Sequence, residues 1–255
     1  MLIDTHCHLP SLKYRNKIIS ILREAKEAGV EKLINVGASL KGNQEAIKTE
    51  VFENVYVAIG VHPNEDRGKN IGLIATELEK QIKSGQKIVA IGECGLDITN
   101  WEQQRPLNEQ IKLFEIHLQL ARKYHLPIII HNRNGDEKII SLLKKYKDLK
   151  GVFHCFCSTW QFAQQILKLN FYLSFSGFIT YPSKSYLLET VAKVPAERLV
   201  IETDSPLITP KPCQDEQNQP KNVKIIAEKV AQIRSDSFLS VANYTTKNAQ
   251  KLFNL

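Results

Sequence analysis

Short apolar runs alternate with segments of helical periodicity along this chain, and few folds are compatible with that order. The run 55–61 is apolar throughout, as expected of a parallel strand that is buried on both faces. We predict strands at 2–3, 32–37, 55–61, 87–91, 127–130, 151–153, 171–175 and 199–201. We predict helices at 16–28, 44–51, 71–82, 107–124, 137–146, 160–169, 185–194, 223–234 and 237–253.

Strands that alternate with helices are joined by right-handed crossovers into a mostly parallel sheet. Eight such units in 255 residues match the size of a (β/α)8 TIM barrel. The apolar fraction of 43% and the charged fraction of 24% are typical of a globular protein that buries a core. We therefore expect an α/β fold with one barrel domain over residues 1–255, and a doubly wound open sheet is the alternative.

Histidines and carboxylates recur where the predicted strands end. His6 and His8 alternate along the first strand and therefore share one of its faces. The carboxyl ends of barrel strands meet at one mouth, which is where active sites lie. We therefore expect His6 and His8 to lie close to the polar residues that follow later strands, namely His62, Glu93, His131, His154 and Asp204.

Burying four histidines and two carboxylates without partners would cost on the order of several kcal/mol for each group. Six ligands exceed the needs of one tetrahedral ion and suit two divalent ions that share a carboxylate. We assign the ligands to two ions bridged by Glu93: His6, His8, Glu93 and Asp204 hold one, and Glu93, His131 and His154 hold the other.

Glu93 and Asp204 are also the catalytic candidates, since Asp204 beside the first ion could orient or deprotonate a water molecule. The identity of the two ions stays open. Histidine ligands suit zinc, nickel or iron, whereas carboxylates and a phosphate substrate suit manganese or magnesium.

The overall composition bears on location and on partners. Five scattered cysteines do not form a disulfide framework, which fits a reducing compartment. No run approaches the roughly 18 apolar residues of a membrane helix, and the first residues lack the pattern of a signal peptide. We expect a cytoplasmic protein with no membrane partner and no obligate protein partner. The net charge of +7 is compatible with nucleic acid, although solvated lysines on helix faces explain it equally well.

Six short motifs follow one another over nearly the whole chain: Asp4-x-His6-x-His8, Gly60-Val61-His62-Pro63, Gly92-Glu93-Cys94-Gly95-Leu96-Asp97, Leu126-Pro127 with His131-Asn132-Arg133, His154-Cys155-Phe156 and Glu202-Thr203-Asp204-Ser205-Pro206. In this order they resemble the motifs of the TatD-related metal-dependent nucleases. The resemblance implies a metallo-dependent hydrolase barrel with a two-metal centre on the six positions assigned above. It also implies deoxyribonuclease activity, usually exonucleolytic from 3′ to 5′ on single-stranded DNA.

Two segments depart from the pattern of that family. Residues 98–100 stand where such proteins commonly carry an aromatic residue, and the acidic segment 213–220 stands where they carry a basic one. Because phosphate contacts dominate affinity for nucleic acids, the acidic segment keeps open a hydrolase of amide, lactone or aminoacyl ester bonds. A barrel that only binds a partner protein is the non-catalytic alternative.

Four further residues have two interpretations each. We predict that His62 and Arg133 contact the substrate, whereas His62 could instead orient a ligand and Arg133 could form a structural salt bridge. Asp97 could orient a histidine or cap a turn. Asp4 shares a face with His6, and we expect it to support the ligands rather than to bind metal.

The remaining histidines and two cysteines are assigned structural roles. We expect His117 and His125 to be surface or capping groups, because they lie on a predicted helix and at its end. We expect Cys94 and Cys155 to be small buried apolar residues, since they adjoin predicted ligands and point away from them. Cys155-x-Cys157 lacks the second pair that a separate zinc site would need.

Overall fold

All eight predicted strands are present in the computed structural model, which describes residues 1–9, 17–99 and 102–255. Each strand pairs in parallel with the next, and the order in the sheet follows the chain. The strands are β1 (Leu2–Cys7), β2 (Val30–Gly37), β3 (Val55–Ile59), β4 (Ile88–Asp97), β5 (Ile128–Arg133), β6 (Gly151–Phe153), β7 (Tyr172–Phe175) and β8 (Leu199–Ile201). The predicted TIM barrel is confirmed.

Backbone bonds join the first strand to the segment that follows the last. Cys7 forms a parallel bridge with Ser205. The His8 amide donates to the Ser205 carbonyl over 2.7 Å, and the Asp204 amide donates to the His6 carbonyl over 2.9 Å. These bonds exclude the open doubly wound sheet. They also hold Asp204 beside the two histidines of the first motif.

The described part of the chain contains nine α-helices, none of them long and apolar enough to cross a membrane. They are α1 (Ile18–Glu27), α2 (Leu40–Ile47), α3 (Ile71–Ser84), α4 (Leu107–Tyr124), α5 (Asp136–Leu143), α6 (Trp160–Lys168), α7 (Leu187–Lys193), α8 (Val223–Arg234) and α9 (Phe238–Phe253). Asn16, the predicted start of the first helix, lies outside the described residues. The second helix begins at Leu40 rather than at residue 44, because the Ser39 hydroxyl accepts the Gly42 amide hydrogen and caps it there.

Apolar side chains form two layers, one on each side of the barrel wall. Leu33 of β2 belongs to the outer layer, which packs against the helices, and its neighbour Ile34 belongs to the inner layer. Helix α9 contributes Leu252 and Phe253 to the inner layer. Because this helix fills one end of the barrel, the other end is left for polar side chains.

Strand β4 is longer than predicted, and this changes the setting of Glu93. The predicted strand ends at residue 91, whereas the observed strand continues to Asp97 and pairs with β5 along its whole second half. Gly92 and Gly95 have φ values of +133° and +144°, which only glycine adopts readily. A Cβ on Gly95 would lie 2.0 Å from the His131 carbonyl oxygen. The glycines therefore let β4 run close beside β5, with Glu93 inside the strand.

Candidate metal centre

The six predicted metal ligands lie together at the carboxyl ends of the strands. His6 lies in β1 and His8 directly after it, Glu93 lies in β4 and His131 in β5. The last two follow β6 and β8: His154 and Asp204. Each has a side-chain atom within 3.8 Å of another member of the group. This group is called the ligand cluster below, and the ligand roles of its members stay predictions.

The two carboxylate oxygens of Glu93 face different histidines. Its Oε2 atom lies 3.6 Å from His6 Nε2 and 3.8 Å from His8 Nε2. Its Oε1 atom lies 3.0 Å from His131 Nδ1 and 3.1 Å from His154 Nε2. A carboxylate between two groups of imidazole nitrogens has the geometry of a bridging ligand.

The donor atoms on the β1 side are spaced as ligands of one ion would be. The Nε2 atoms of His6 and His8 are 3.3 Å apart, and Asp204 Oδ1 lies 3.8 Å and 3.4 Å from them. Two ligands at about 2.1 Å from a tetrahedral ion stand roughly 3.4 Å apart. The chemistry and the spacing of this donor set therefore fit a divalent metal.

Hydrogen bonds at the far ring nitrogens set which nitrogen of each histidine faces the cluster. His8 Nδ1 lies 2.8 Å from the Val36 carbonyl oxygen, and a carbonyl can only accept, so Nδ1 carries the hydrogen. His154 Nδ1 lies 3.2 Å from Glu202 Oε1. In both residues Nε2 is therefore the nitrogen that faces the cluster, as in metal-binding histidines.

Glu202 and Asp97 support the histidines from outside the cluster. Glu202 is buried and its Oε1 also accepts the Cys155 amide hydrogen over 2.7 Å. No role is predicted for Glu202 from the sequence, although a carboxylate directly after the apolar strand β8 marks the same barrel mouth as the predicted ligands. Of the two roles considered for Asp97, the contact with His131 Nε2 at 3.4 Å fits the orientation of a histidine, and the carboxylate also accepts the Thr99 hydroxyl over 2.6 Å.

Asp4 supports the cluster without touching its donor atoms. Its carboxylate accepts hydrogen bonds from the Thr203 amide over 2.9 Å and from the Thr203 hydroxyl over 2.6 Å. It also accepts the His6 amide hydrogen over 3.3 Å. Burial raises the pKa of Asp4 to about 8, although these hydrogen bonds lower it. Asp4 thus ties β1 to the segment that carries Asp204, in agreement with the supporting role predicted for it.

Charges within the cluster are strongly coupled. Burial opposes the ionisation of Glu93, but the field of His154 and hydrogen bonds from the surrounding histidines hold its pKa well below the usual value. Burial also opposes a charge on His154, but Glu93 and Glu202 raise its pKa well above the usual value. Glu93 therefore stays ionised and attracts cations, and a divalent ion would compete with the proton on His154.

His62 and Arg133 lie at the cavity in front of the cluster. His62 Nδ1 accepts the Asn64 amide hydrogen over 3.2 Å, so in the neutral ring the hydrogen is on Nε2, which lies 3.9 Å from Glu93 Oε1. Burial lowers the pKa of His62 to about 4, with a further contribution from His131. His62 thus presents an N–H donor rather than a lone pair. Arg133 is exposed and forms no ion pair within residues 1–9, 17–99 and 102–255.

Two structural predictions are wrong. His117 is buried rather than a surface or capping group: its Nδ1 donates to the Leu113 carbonyl over 2.7 Å, and its Nε2 accepts the Val61 amide hydrogen over 2.9 Å. Cys155 is only half-buried and lines the cavity, because its positive φ of 43° turns the chain after β6. By contrast, His125 does cap α4 in a left-handed conformation, and Cys94 is buried as expected.

The cavity in front of the cluster has a volume of about 920 Å³, at the upper end of the range for small-molecule sites. Members of the cluster form its floor, and Arg133 and Asn132 of β5 form part of its wall. The acidic residues Asp215 and Glu216 of the segment after Pro210 are exposed and do not line it. That segment is instead anchored by Asn218, whose amide donates to the Thr203 carbonyl over 2.9 Å.

Comparison with known proteins finds a family and relatives that match nearly the whole chain. The model of the family described as TatD related DNase matches residues 3–254. YabD of Bacillus subtilis is 36% identical over 260 residues, covering 100% of both chains, and YcfH of Escherichia coli K12 is 32% identical over 100% of this chain and 96% of its own length. Both carry the description uncharacterized metal-dependent hydrolase. The crystal structure of YjjV, a TatD homologue from Escherichia coli K12, superposes with a TM-score of 0.93 at 28% identity, covering 100% of this chain and 98% of YjjV.

Proposed function

Because the chain belongs to the TatD-related family of metal-dependent hydrolases, we propose that residues 1–255 form one catalytic domain that cleaves phosphodiester bonds of single-stranded DNA in the cytoplasm. The proposed activity is that of a 3′–5′ exodeoxyribonuclease with two divalent ions, Mg²⁺, Mn²⁺ or Zn²⁺. The observation that carries this proposal is the orientation of Glu93, whose two oxygens face separate groups of histidines. Such a donor set suits two ions that share one carboxylate.

We propose that His6, His8 and Asp204 would hold one ion, that His131 and His154 would hold the other, and that Glu93 would bridge them. Ions bound there would acidify a water molecule and offset negative charge on a phosphoryl oxygen. Asp204 would orient that water and accept its proton. Burial opposes the ionisation of Asp204, but the hydrogen bond from His8 and the charge of His6 lower its pKa, so the carboxylate is ionised and able to accept a proton.

His62 and Arg133 would hold the substrate beside the ligand cluster. A neutral imidazole with its hydrogen on Nε2 can donate to a phosphoryl oxygen, and the surrounding bonds keep His62 in that form. The guanidinium of Arg133 can pair with a phosphate through two parallel hydrogen bonds. Its lack of a carboxylate partner among the described residues supports an anionic substrate over an amide or lactone.

Hydrolysis of labelled single-stranded DNA by metal-stripped protein, with Mg²⁺, Mn²⁺ or Zn²⁺ added back separately, tests the proposal. We expect cleavage that requires an added ion and is abolished in Glu93→Ala, because the bridging carboxylate is lost. DNA blocked at its 3′ end should resist cleavage, and DNA blocked at its 5′ end should not.

Glu65→Ala is the matched control, because Glu65 lines the same cavity but lies outside the ligand cluster. This variant should cleave DNA as the wild type does. A protein that binds metal but leaves DNA intact under every added ion would contradict the nuclease proposal, and ester, lactone and amide substrates would then be screened.

A further inference from the structure

Aromatic and apolar side chains form part of the rim of the cavity. Phe178 and Tyr186 lie between β7 and α7, and Leu207 follows β8. Tyr186 is 46% exposed and Leu207 is 49% exposed, and both line the cavity. The rim therefore offers a water-exposed aromatic surface directly in front of the ligand cluster.

Lys184 lies between the two aromatic residues. Its Nζ atom is 5.3 Å from the ring centre of Phe178, 5.7 Å from the ring centre of Tyr186 and 3.5 Å from the Tyr186 hydroxyl. The distance to Phe178 is that of a cation–π contact, whereas Lys184 meets Tyr186 at its hydroxyl group. The three residues, called the aromatic rim below, thus form one connected group that combines two rings and a positive charge.

The positive charges of the cavity are not neutralised by neighbouring carboxylates. Lys184 and Arg133 are the two lysine or arginine residues that line it, and neither has an ion pair with any residue that the structure describes. Most carboxylates there are already engaged: Asp136, for example, accepts hydrogen bonds from Asn132 and Ser158 over 2.6 Å each. Glu65 is the exception, because its carboxylate has no such partner among the residues that the structure describes. Two free cations beside a metal centre favour a substrate with several negative charges.

The segment that carries the aromatic rim is tied to the segment that follows β8. A Cβ on Gly177 would lie 2.2 Å from the Ile208 carbonyl oxygen, so the two backbones are in direct contact. The Tyr181 hydroxyl donates to the Thr209 carbonyl over 2.6 Å, and the Lys211 amide donates to the Thr180 hydroxyl over 2.8 Å. The rim is therefore pre-formed, which lowers the entropic cost of binding.

We propose that the aromatic rim is a nucleotide subsite, in which the Tyr186 ring stacks on a base while Lys184 and Arg133 contact the phosphates beside the scissile bond. The proposal rests on the nuclease function proposed above and adds to it the place where the bases bind. Single-stranded nucleic acids are held by such combinations of aromatic rings and a positively charged groove, with little preference for sequence. Lys184 Nζ lies beside the hydroxyl end of Tyr186, 3.5 Å from its oxygen, so the ammonium group itself does not cover the face of the ring on which a base would stack.

Binding measured without catalysis tests this subsite. Fluorescence anisotropy in excess EDTA compares a labelled hexathymidylate with an abasic phosphodiester of the same length. Tyr186→Ala should weaken binding of hexathymidylate about 5- to 150-fold, the range for loss of one stacked base, and leave the abasic strand unaffected. Tyr186→Phe keeps the ring and should stay within about twofold of wild type.

Lys184→Ala should act on the phosphates instead. This variant should weaken the binding of hexathymidylate and of the abasic strand by the same factor. It should also reduce the slope of log affinity against log salt concentration by about 0.7, the contribution of one phosphate contact on a single strand. Leu239→Ala is the control for loss of an exposed apolar side chain, because Leu239 is 77% exposed on α9 and does not line the cavity. It should leave the affinity for both strands unchanged.

The outcomes separate the subsite from the nuclease function. Tyr186-dependent binding of hexathymidylate without metal-dependent cleavage keeps the subsite and overturns the nuclease proposal. Cleavage of DNA with equal affinity of wild type and Tyr186→Ala keeps the nuclease and overturns the subsite. The subsite is also overturned if Tyr186→Ala lowers the affinity for hexathymidylate and for the abasic strand equally, or if the wild type does not bind hexathymidylate.

Discussion

Replacing His117 by glutamine should remove part of this protein's sensitivity to acid. The ring is buried beside the segment that follows β3, where its Nδ1 donates to the Leu113 carbonyl and its Nε2 accepts the Val61 amide hydrogen. Burial lowers its pKa from 6.5 to about 4. Between these values the unfolded chain binds a proton that the folded protein does not. The stability that depends on the neutral ring is therefore present above pH 6.5 and is lost as the pH falls toward 4.

The size of the effect follows from the two pKa values. With 6.5 in the unfolded chain and about 4 in the folded protein, the free energy of unfolding falls by about 2 kcal/mol between pH 7 and pH 5. Glutamine does not titrate, so His117→Gln lacks this component. Urea unfolding in EDTA, followed by far-ultraviolet circular dichroism, measures it. The wild type should lose about 2 kcal/mol more than the variant over that pH interval.

The histidines of the ligand cluster also titrate, but they do so in both proteins and cancel in the comparison. His125→Gln is the matched control, because His125 is exposed at the end of the same helix. It should keep the pH dependence of the wild type. If wild type and His117→Gln lose equal stability between pH 7 and pH 5, the buried neutral state assigned to His117 is wrong.

Three further predictions concern the ligand cluster. Glu202→Gln should lower zinc affinity about 10- to 100-fold in a chelator competition, because His154 loses a charged partner. Unchanged affinity would show that Glu202 does not support His154 as a ligand. Gly95→Ala should lower the melting temperature and zinc affinity together, since its Cβ would meet the His131 carbonyl; a normal melting curve would contradict the close approach of β4 and β5. Zinc affinity should fall as the pH is lowered, because the raised pKa of His154 makes protons compete with metal, and a flat titration curve would argue against that coupling.

The barrel and the positions of its polar residues could be predicted from the sequence, because both follow from local patterns. Apolar runs and amphipathic segments specify strands and helices with little help from distant residues. Once eight units are counted, the topology dictates that the residues after the strands meet, as His6 and Asp204 do although they are far apart in sequence.

What could not be predicted depends on contacts between distant residues. His117 has the periodicity of a helix surface, and only the packing of α4 beside the segment that follows β3 turns it into an acceptor for the Val61 amide. The continuation of β4 past residue 91 depends on glycines whose positive φ values the apolar pattern does not reveal. The hydrogen on His62 is placed by the Asn64 amide, and no pattern in the sequence specifies a tautomer.

Counting the metal ions bound per chain tests most directly whether Glu93 joins two ions. Wild type, Glu93→Ala and Glu65→Ala would each be loaded with Zn²⁺ or Mn²⁺, freed of excess ion and analysed by elemental mass spectrometry against protein concentration. The bridging geometry predicts two ions in the wild type and in Glu65→Ala, and fewer than two in Glu93→Ala. One ion in the wild type, or two in Glu93→Ala, would contradict it.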